Sequence, residues 1–197
     1  MPVLIDSAPI ETERLGLSTV GQLLSHVSKS NRLVVNLLID GREPNFDDMA
    51  TVRQGALKGH TLFLETVAPR EIAADALDEV ERQMAEADRL TGEAVDLLQK
   101  NQLAPAMQKL SGCFSTWHSA QDSVTKTAQL MKLKLEDIET AGQSLSSLMT
   151  EFSDQLRSIR GALESRDYTT LGDVLTYETP ETTRKWRDAM GTMRAQM

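Results

Sequence analysis

The chain is poor in the residues that build chemical sites. It has one cysteine, Cys113, and three histidines, His26, His60 and His118, spread along its length. A single cysteine excludes an intramolecular disulfide and makes a reducing compartment the expectation. No Glu-x-x-His pattern occurs, which excludes the di-iron type of helical bundle, and no metal site is expected. Aromatic residues make up only 4% of the chain, which fits helix packing better than a β-sandwich core. Basic residues form no cluster and the formal net charge is -8. Such a surface repels phosphate backbones, so nucleic-acid binding is not expected. No run of about 18 apolar residues occurs, so no membrane span is expected. Glycine is nowhere gathered into a phosphate-binding loop: Asp40-Gly41 and Lys58-Gly59 are isolated turns. The first residues lack the basic segment and apolar run of a signal peptide. The expectation is a cytoplasmic protein without a cofactor.

What the chain has in quantity is helical periodicity. From Ala104 to Ile138, apolar residues recur at Met107, Leu110, Phe114, Trp117, Val124, Ala128, Met131, Leu135 and Ile138, with Gln121 in the one polar slot. Steps alternating between three and four lay them on one helical stripe, too long a seam for a lone helix to keep in water. Arg70 to Lys100 carries a second stripe of Ala73, Leu77, Val80, Met84, Ala87, Thr91, Ala94 and Leu98. Asp75, Asp78, Glu79, Glu81, Glu86 and Asp88 cover its other faces as a solvated surface. A third stripe holds Leu145, Met149, Phe152, Leu156, Ile159 and Leu163, capped by Ser144 after Ala141-Gly142 ends the central helix. Asp167 caps a shorter segment, and Thr179-Pro180-Glu181 reads as an N-cap, a first-turn proline and a first-turn acid. The period of 3.5 and the short connections predict an antiparallel four- or five-helix bundle with coiled-coil-like packing over residues 69–197.

Residues 1–68 have a different texture. Val3-Leu4-Ile5 reads as a strand broken by Ala8-Pro9, with a second strand in Glu11–Leu17. Ser18 or Thr19 caps a helix through Val20, Leu23, Leu24 and Val27, ending near Ser30-Asn31. Leu33 to Ile39 is the strongest strand and stops at the Asp40-Gly41 turn. Phe46 to Val52 reads as a short helical turn, and Thr61 to Val67 alternates as a last strand. In this order, above all from Leu37-Leu38-Ile39-Asp40-Gly41-Arg42 through Leu57 to Thr61-Leu62-Phe63-Leu64, the segment resembles the ubiquitin-like, β-grasp fold. It departs from conjugated modifiers, because the last strand runs into Ala68-Pro69 and not into a free di-glycine tail. The resemblance implies a protein-binding module; the alternative is a generic small domain with no binding role. The fold class is thus α+β, a β-grasp-like module followed by a helical bundle.

Candidate sites are few. His118, beside Trp117, would suit a phosphotransfer bundle only with a small residue and a cation close behind it. Ser119-Ala120-Gln121-Asp122 follow instead, and a hydrogen-bonded structural histidine is the other reading. Cys113 has no acid–base partner nearby and reads as a small core residue. Gln121 either fixes register within the seam or meets water at its edge. Tyr168, Tyr177 and Trp186 either form a partner-binding patch or close the end of the bundle. No catalytic constellation emerges. The expectation is a non-enzymatic interaction adaptor or assembly subunit that binds other proteins and self-associates as a dimer through its uncovered seam. Two rivals are an export or flagellar-type chaperone holding a partner's amphipathic helix, and a phosphorelay protein or enzyme using His118.

Overall fold

The computed structural model, which describes residues 2–140 and 142–197, begins with β1 (Val3–Ile5) and β2 (Ala8–Ile10), paired antiparallel across Asp6 and Ser7. Both turn residues have positive φ, 50° and 67°, the geometry whose twist matches that of the strands. The second strand thus lies before Glu11–Leu17, and Pro9 sits inside it. An Asp-Ser turn is a weaker sequence signal than Asp-Gly, and β2 is an edge strand, where proline removes no needed ladder bond. Asp6 pins the turn: its carboxylate accepts the Thr66 hydroxyl at 2.6 Å and the Thr66 N–H at 2.7 Å. These bonds, with Arg32 beside them, hold its carboxyl below the usual carboxylate range.

Helix α1 (Val20–Lys29) is started by a reciprocal cap between Thr19 and Gln22. Strand β3 (Leu33–Ile39) ends at Asp40 and Gly41, both at positive φ. A 3-10 turn (Phe46–Asp48) leads into α2 (Met49–Gln54), and β4 (Leu62–Val67) closes the sheet. The strand order is β2-β1-β4-β3, with β1 and β4 parallel at the centre and the outer pairs antiparallel. Alternation in β4 turns Leu62 and Leu64 to one face, where Val20, Leu23 and Val27 of α1 meet them. The result is a β-grasp-like unit.

By contacts the chain divides into two compact units, Met1–Ile72 and Ala73–Met197. Helix α3 (Pro69–Gln99) begins at the proline, and α4 (Leu103–Met131) follows after a short link. Thr91 meets Cys113 at 3.2 Å and Lys109 meets Glu93 at 2.6 Å, so the two helices lie side by side and antiparallel. Helix α5 (Leu145–Ser165) and α7 (Thr179–Gln196) complete the bundle, with α6 (Tyr168–Asp173) between them. Arg194 reaches Asp78 and Glu81, and Arg187 reaches Asp88. Part of the acidic face of α3 is therefore an ion-paired seam against α7 and not simply a solvated surface.

The central helix is shorter than its stripe. It stops at Met131 because Lys132 turns left-handed, with φ 56°. The Lys132 N–H then bonds to Gln129 O and the Leu133 N–H to Ala128 O, a helix-closing pair. Leu135 and Ile138 still reach the core, but from a loop. A small ladder of β5 (Glu139–Thr140) and β6 (Gln143–Ser144) follows, with Gly142 at φ 78°. Ala141 lies outside the described residues. Leu110, Trp117, Val124 and Ala128 of the stripe are buried within the chain's own bundle, whereas Met107, Phe114, Gln121 and Met131 stay half-buried; the continuous helix on which the length argument for a dimer rested is shorter than the stripe.

On α5 the buried set is Leu145, Leu148, Phe152, Gln155, Ile159 and Ala162. The stripe is rotated toward Leu148 and Gln155, leaving Met149, Leu156 and Leu163 half-buried. Thr179 is no N-cap. A π-helical turn (Val174–Glu178) carries the helix continuously from α6 into α7, and the Thr179 hydroxyl donates back to Val174 O at 3.2 Å. Pro180, which lacks an N–H and crowds the carbonyl four residues back, accounts for the widened turn.

Candidate functional site

Strand β3 carries Val35, one of the exposed large apolar residues of the first unit. Its register against β4 slips between Val34 and Asn36, so Val35 is an extra residue with no partner across the ladder. Such a bulge re-aims the side chain it inserts, and Val35 is 53% exposed. Phe46, on the 3-10 turn, is also 53% exposed. Between them runs a groove of about 350 Å³, floored by Leu24 and Leu37 and flanked by Met49 and Arg53.

Gly21 sets the position of that flank. A Cβ there would lie 2.9 Å from the Arg53 carbonyl oxygen, so only glycine lets α1 and α2 approach this closely. The Val20 N–H bonds to Gly55 O at 2.9 Å and fixes the same contact. No strand pairs with the outer edge of β3 among the described residues. Except at Ile39, whose N–H and C=O are bonded to Arg42, the edge offers backbone donors and acceptors with no strand partner among the described residues, beside an apolar groove. No carboxylate lines it; its ionic residues are Arg32 and Arg53. Arg32 is held by Thr66 and Asp6, whereas Arg53 has no ion pair among the described residues.

The residues singled out from the sequence do not assemble there. Trp186 is fully buried, with its ring 5.6 Å from Trp117 and 6.3 Å from Phe152. It belongs to the core and offers nothing to a partner. Tyr168 and Tyr177 are exposed, the latter at 71%, and the end of the bundle is closed instead by Leu171, Val174 and Leu175. Gln121 is half-buried at the edge of the stripe. His118 is exposed and has no hydrogen-bond partner among the described residues. Cys113 is buried; burial pushes its thiol up, partly offset by Thr91, which leaves little thiolate for nucleophilic chemistry. Among the described residues no cluster of three potential metal ligands occurs, and no helix is long and apolar enough to cross a membrane. The groove itself escaped sequence reading because a bulge leaves no signature in one strand alone.

Residues 75–189, more than half of the 197-residue chain, match the family described as a domain of unknown function, DUF8042. The chain belongs to this family. The DUF8042 match runs from the first turns of α3 to Ala189 in α7, and so takes in Trp117, Phe152 and Trp186. The β3 groove lies outside the matched residues. No curated protein and no solved structure matches the chain.

Proposed function

We propose that this protein is a non-enzymatic interaction adaptor whose first unit takes an extended segment of a partner protein along β3. The observation that carries the reading is the unpaired β3 edge beside the groove between Val35 and Phe46. A strand added there gains main-chain hydrogen bonds, and the groove selects an apolar side chain. Arg53 favours a carboxylate next to that side chain. The resemblance to ubiquitin-like modules supports the same use. The chaperone reading called for an unpaired apolar face on the last helix. Trp186, Ala189, Met190 and Met193 are all buried in the chain's own core, so that support is missing. The phosphorelay reading gains nothing from His118, which has no cation beside it in sequence.

The test is a comparison of partners captured from the native cell by the wild-type chain and by a Val35→Lys/Phe46→Lys variant. Both positions are exposed, so the variant should melt within a few degrees of wild type. Proteins held by the wild type and lost by the variant support the reading, and each should carry an extended apolar segment flanked by an acid. An identical catch from both would place the interface elsewhere.

A further inference from the structure

The β3 groove does not stop at Arg53. A further depression of about 400 Å³ is lined by Leu24, Ser25, Ser28, Lys29 and Arg53. It shares Leu24, Ser28 and Arg53 with the groove and so continues it along α1. Steps of three and four from Gly21 place Leu24, Ser25 and Ser28 on one face of that helix. The backbone of Arg53 packs onto the same helix at Gly21. The apolar floor thus runs out into a wall of hydroxyls and cations.

Its charge is one-sided. Lys29 and Arg53 are exposed, and neither has an ion pair among the described residues. No carboxylate lines the depression. The acids nearest Arg53 in sequence, Asp47 and Asp48, stand at the start of α2 and Arg53 near its end. Asp48 is engaged there as the cap, accepting the Thr51 N–H at 3.3 Å. The last carbonyls of α1, whose partial charge opposes an anion, are taken by the chain itself. Val27 O accepts the Ser30 and Arg32 N–H groups, and Ser28 O accepts that of Asn31. The Ser25 hydroxyl donates to Gly21 O at 2.8 Å, whereas the Ser28 hydroxyl makes no side-chain bond among the described residues. A carboxylate would answer one of the two cations. A phosphorylated serine or threonine carries a charge of about −1.5 to −2 and three strong acceptor oxygens, which matches two cations and a hydroxyl donor.

We infer, as a step that rests on the β3 reading, that the extended partner segment is taken in a phosphorylated form, its phosphoryl group between Lys29 and Arg53 with the Ser28 hydroxyl donating to it. Phosphorylation of the partner then regulates the groove. Both cations stand on the side that Ser28 and Arg53 form, and Asp47 adjoins Phe46. The phosphate is therefore accepted on one side only of the apolar residue that fills the groove. The full chain is titrated calorimetrically with acetyl-Gly-Thr-Leu-Thr-Val-Thr-Ser-Gly-amide, with the same peptide carrying phosphoserine or aspartate for its serine, and with acetyl-Gly-phosphoserine-Thr-Leu-Thr-Val-Thr-Gly-amide. One of the two phosphoserine peptides should bind about tenfold tighter than the serine peptide. Lys29→Ala/Arg53→Ala should remove that gain and leave the serine peptide within about twofold; both side chains are exposed, so the variant folds. Lys29→Arg, which keeps the charge, and Arg42→Ala, a cation outside both walls, should each retain the gain. Any of the following overturns the phosphate subsite and leaves the β3 reading standing: phosphoserine no tighter than serine, aspartate as good as phosphoserine, equal gains from both phosphoserine peptides, or a gain that survives Lys29→Ala/Arg53→Ala. No heat from any peptide at millimolar concentration, or a serine peptide whose binding is untouched by Val35→Lys/Phe46→Lys, overturns the subsite together with the reading it rests on.

Discussion

At the scale of single residues, the two tryptophans mark what the bundle depends on. Trp117 is 1% exposed and its ring centre lies 4.3 Å from that of Phe152. Its indole N–H is buried without an acceptor among the described residues, as is that of Trp186, so these rings contribute volume and contact. Trp117→Ala should therefore cost about 3–5 kcal/mol, as for other buried aromatics, read as a fall in the thermal midpoint. His118, the next residue, points outward, and His118→Ala should cost no more than about 0.5 kcal/mol. Equal losses from the two variants would mean that the stripe has been assigned to the wrong face. Trp117 was legible in the sequence because the step of three and four passes through it. The place of Trp186 in the same cluster was not. The tyrosines near it in sequence suggested a patch, whereas the helical period turns Trp186 inward and Tyr177 outward.

At the scale of elements, three helix starts were readable and the one at Thr179 was not, while the end of α1 was readable and that of the central helix was not. Thr19, Ser144 and Asp167 each accept a backbone N–H of the helix that follows, as their side chains imply. The ends of α1, α3, α4 and α5 are marked by Asn31, Asn101, Lys132 and Arg166, all at φ between 54° and 57°; the first two lie where the sequence placed them, the lysine does not. None is glycine, the residue that usually announces such an end, and so the central helix read as running on to Gly142. The bulge at Val35 is hidden for a related reason: it is a property of two strands in register, and one strand's sequence does not contain it. The left-handed lysine offers a direct check. A non-glycine residue there costs about 1–2 kcal/mol, against about 0.5–1 kcal/mol of extra chain entropy for glycine. Lys132→Gly should thus stabilise the bundle by about 0.5–1 kcal/mol, measured by urea unfolding at unchanged slope. A loss of stability would show that the helix does not close at Met131.

At the scale of the whole molecule, the question is whether two cores make two folding units. Val3, Leu23, Leu37, Leu62 and Leu64 belong to one buried cluster and Leu77, Met84, Trp117, Phe152 and Trp186 to another. Each cluster is closed by side chains of its own unit, the condition for independent stability. Pro69 is a good place to start a helix, because its missing N–H is one that the first turn would leave unpaired anyway. A fragment of residues 69–197 should therefore fold alone, keep its helical circular dichroism, and melt cooperatively within about 5 °C of the bundle transition in the full chain. Both tryptophans lie in this unit, so their fluorescence follows the bundle alone, while far-ultraviolet ellipticity follows the whole chain. Non-coincident transitions by the two probes in the full chain would be the expected sign of two units. With the fragment, the two probes should coincide. A fragment that is disordered, or whose tryptophan emission is already that of exposed indole at low temperature, would show that the first unit is needed to hold the bundle together and that the chain folds as one.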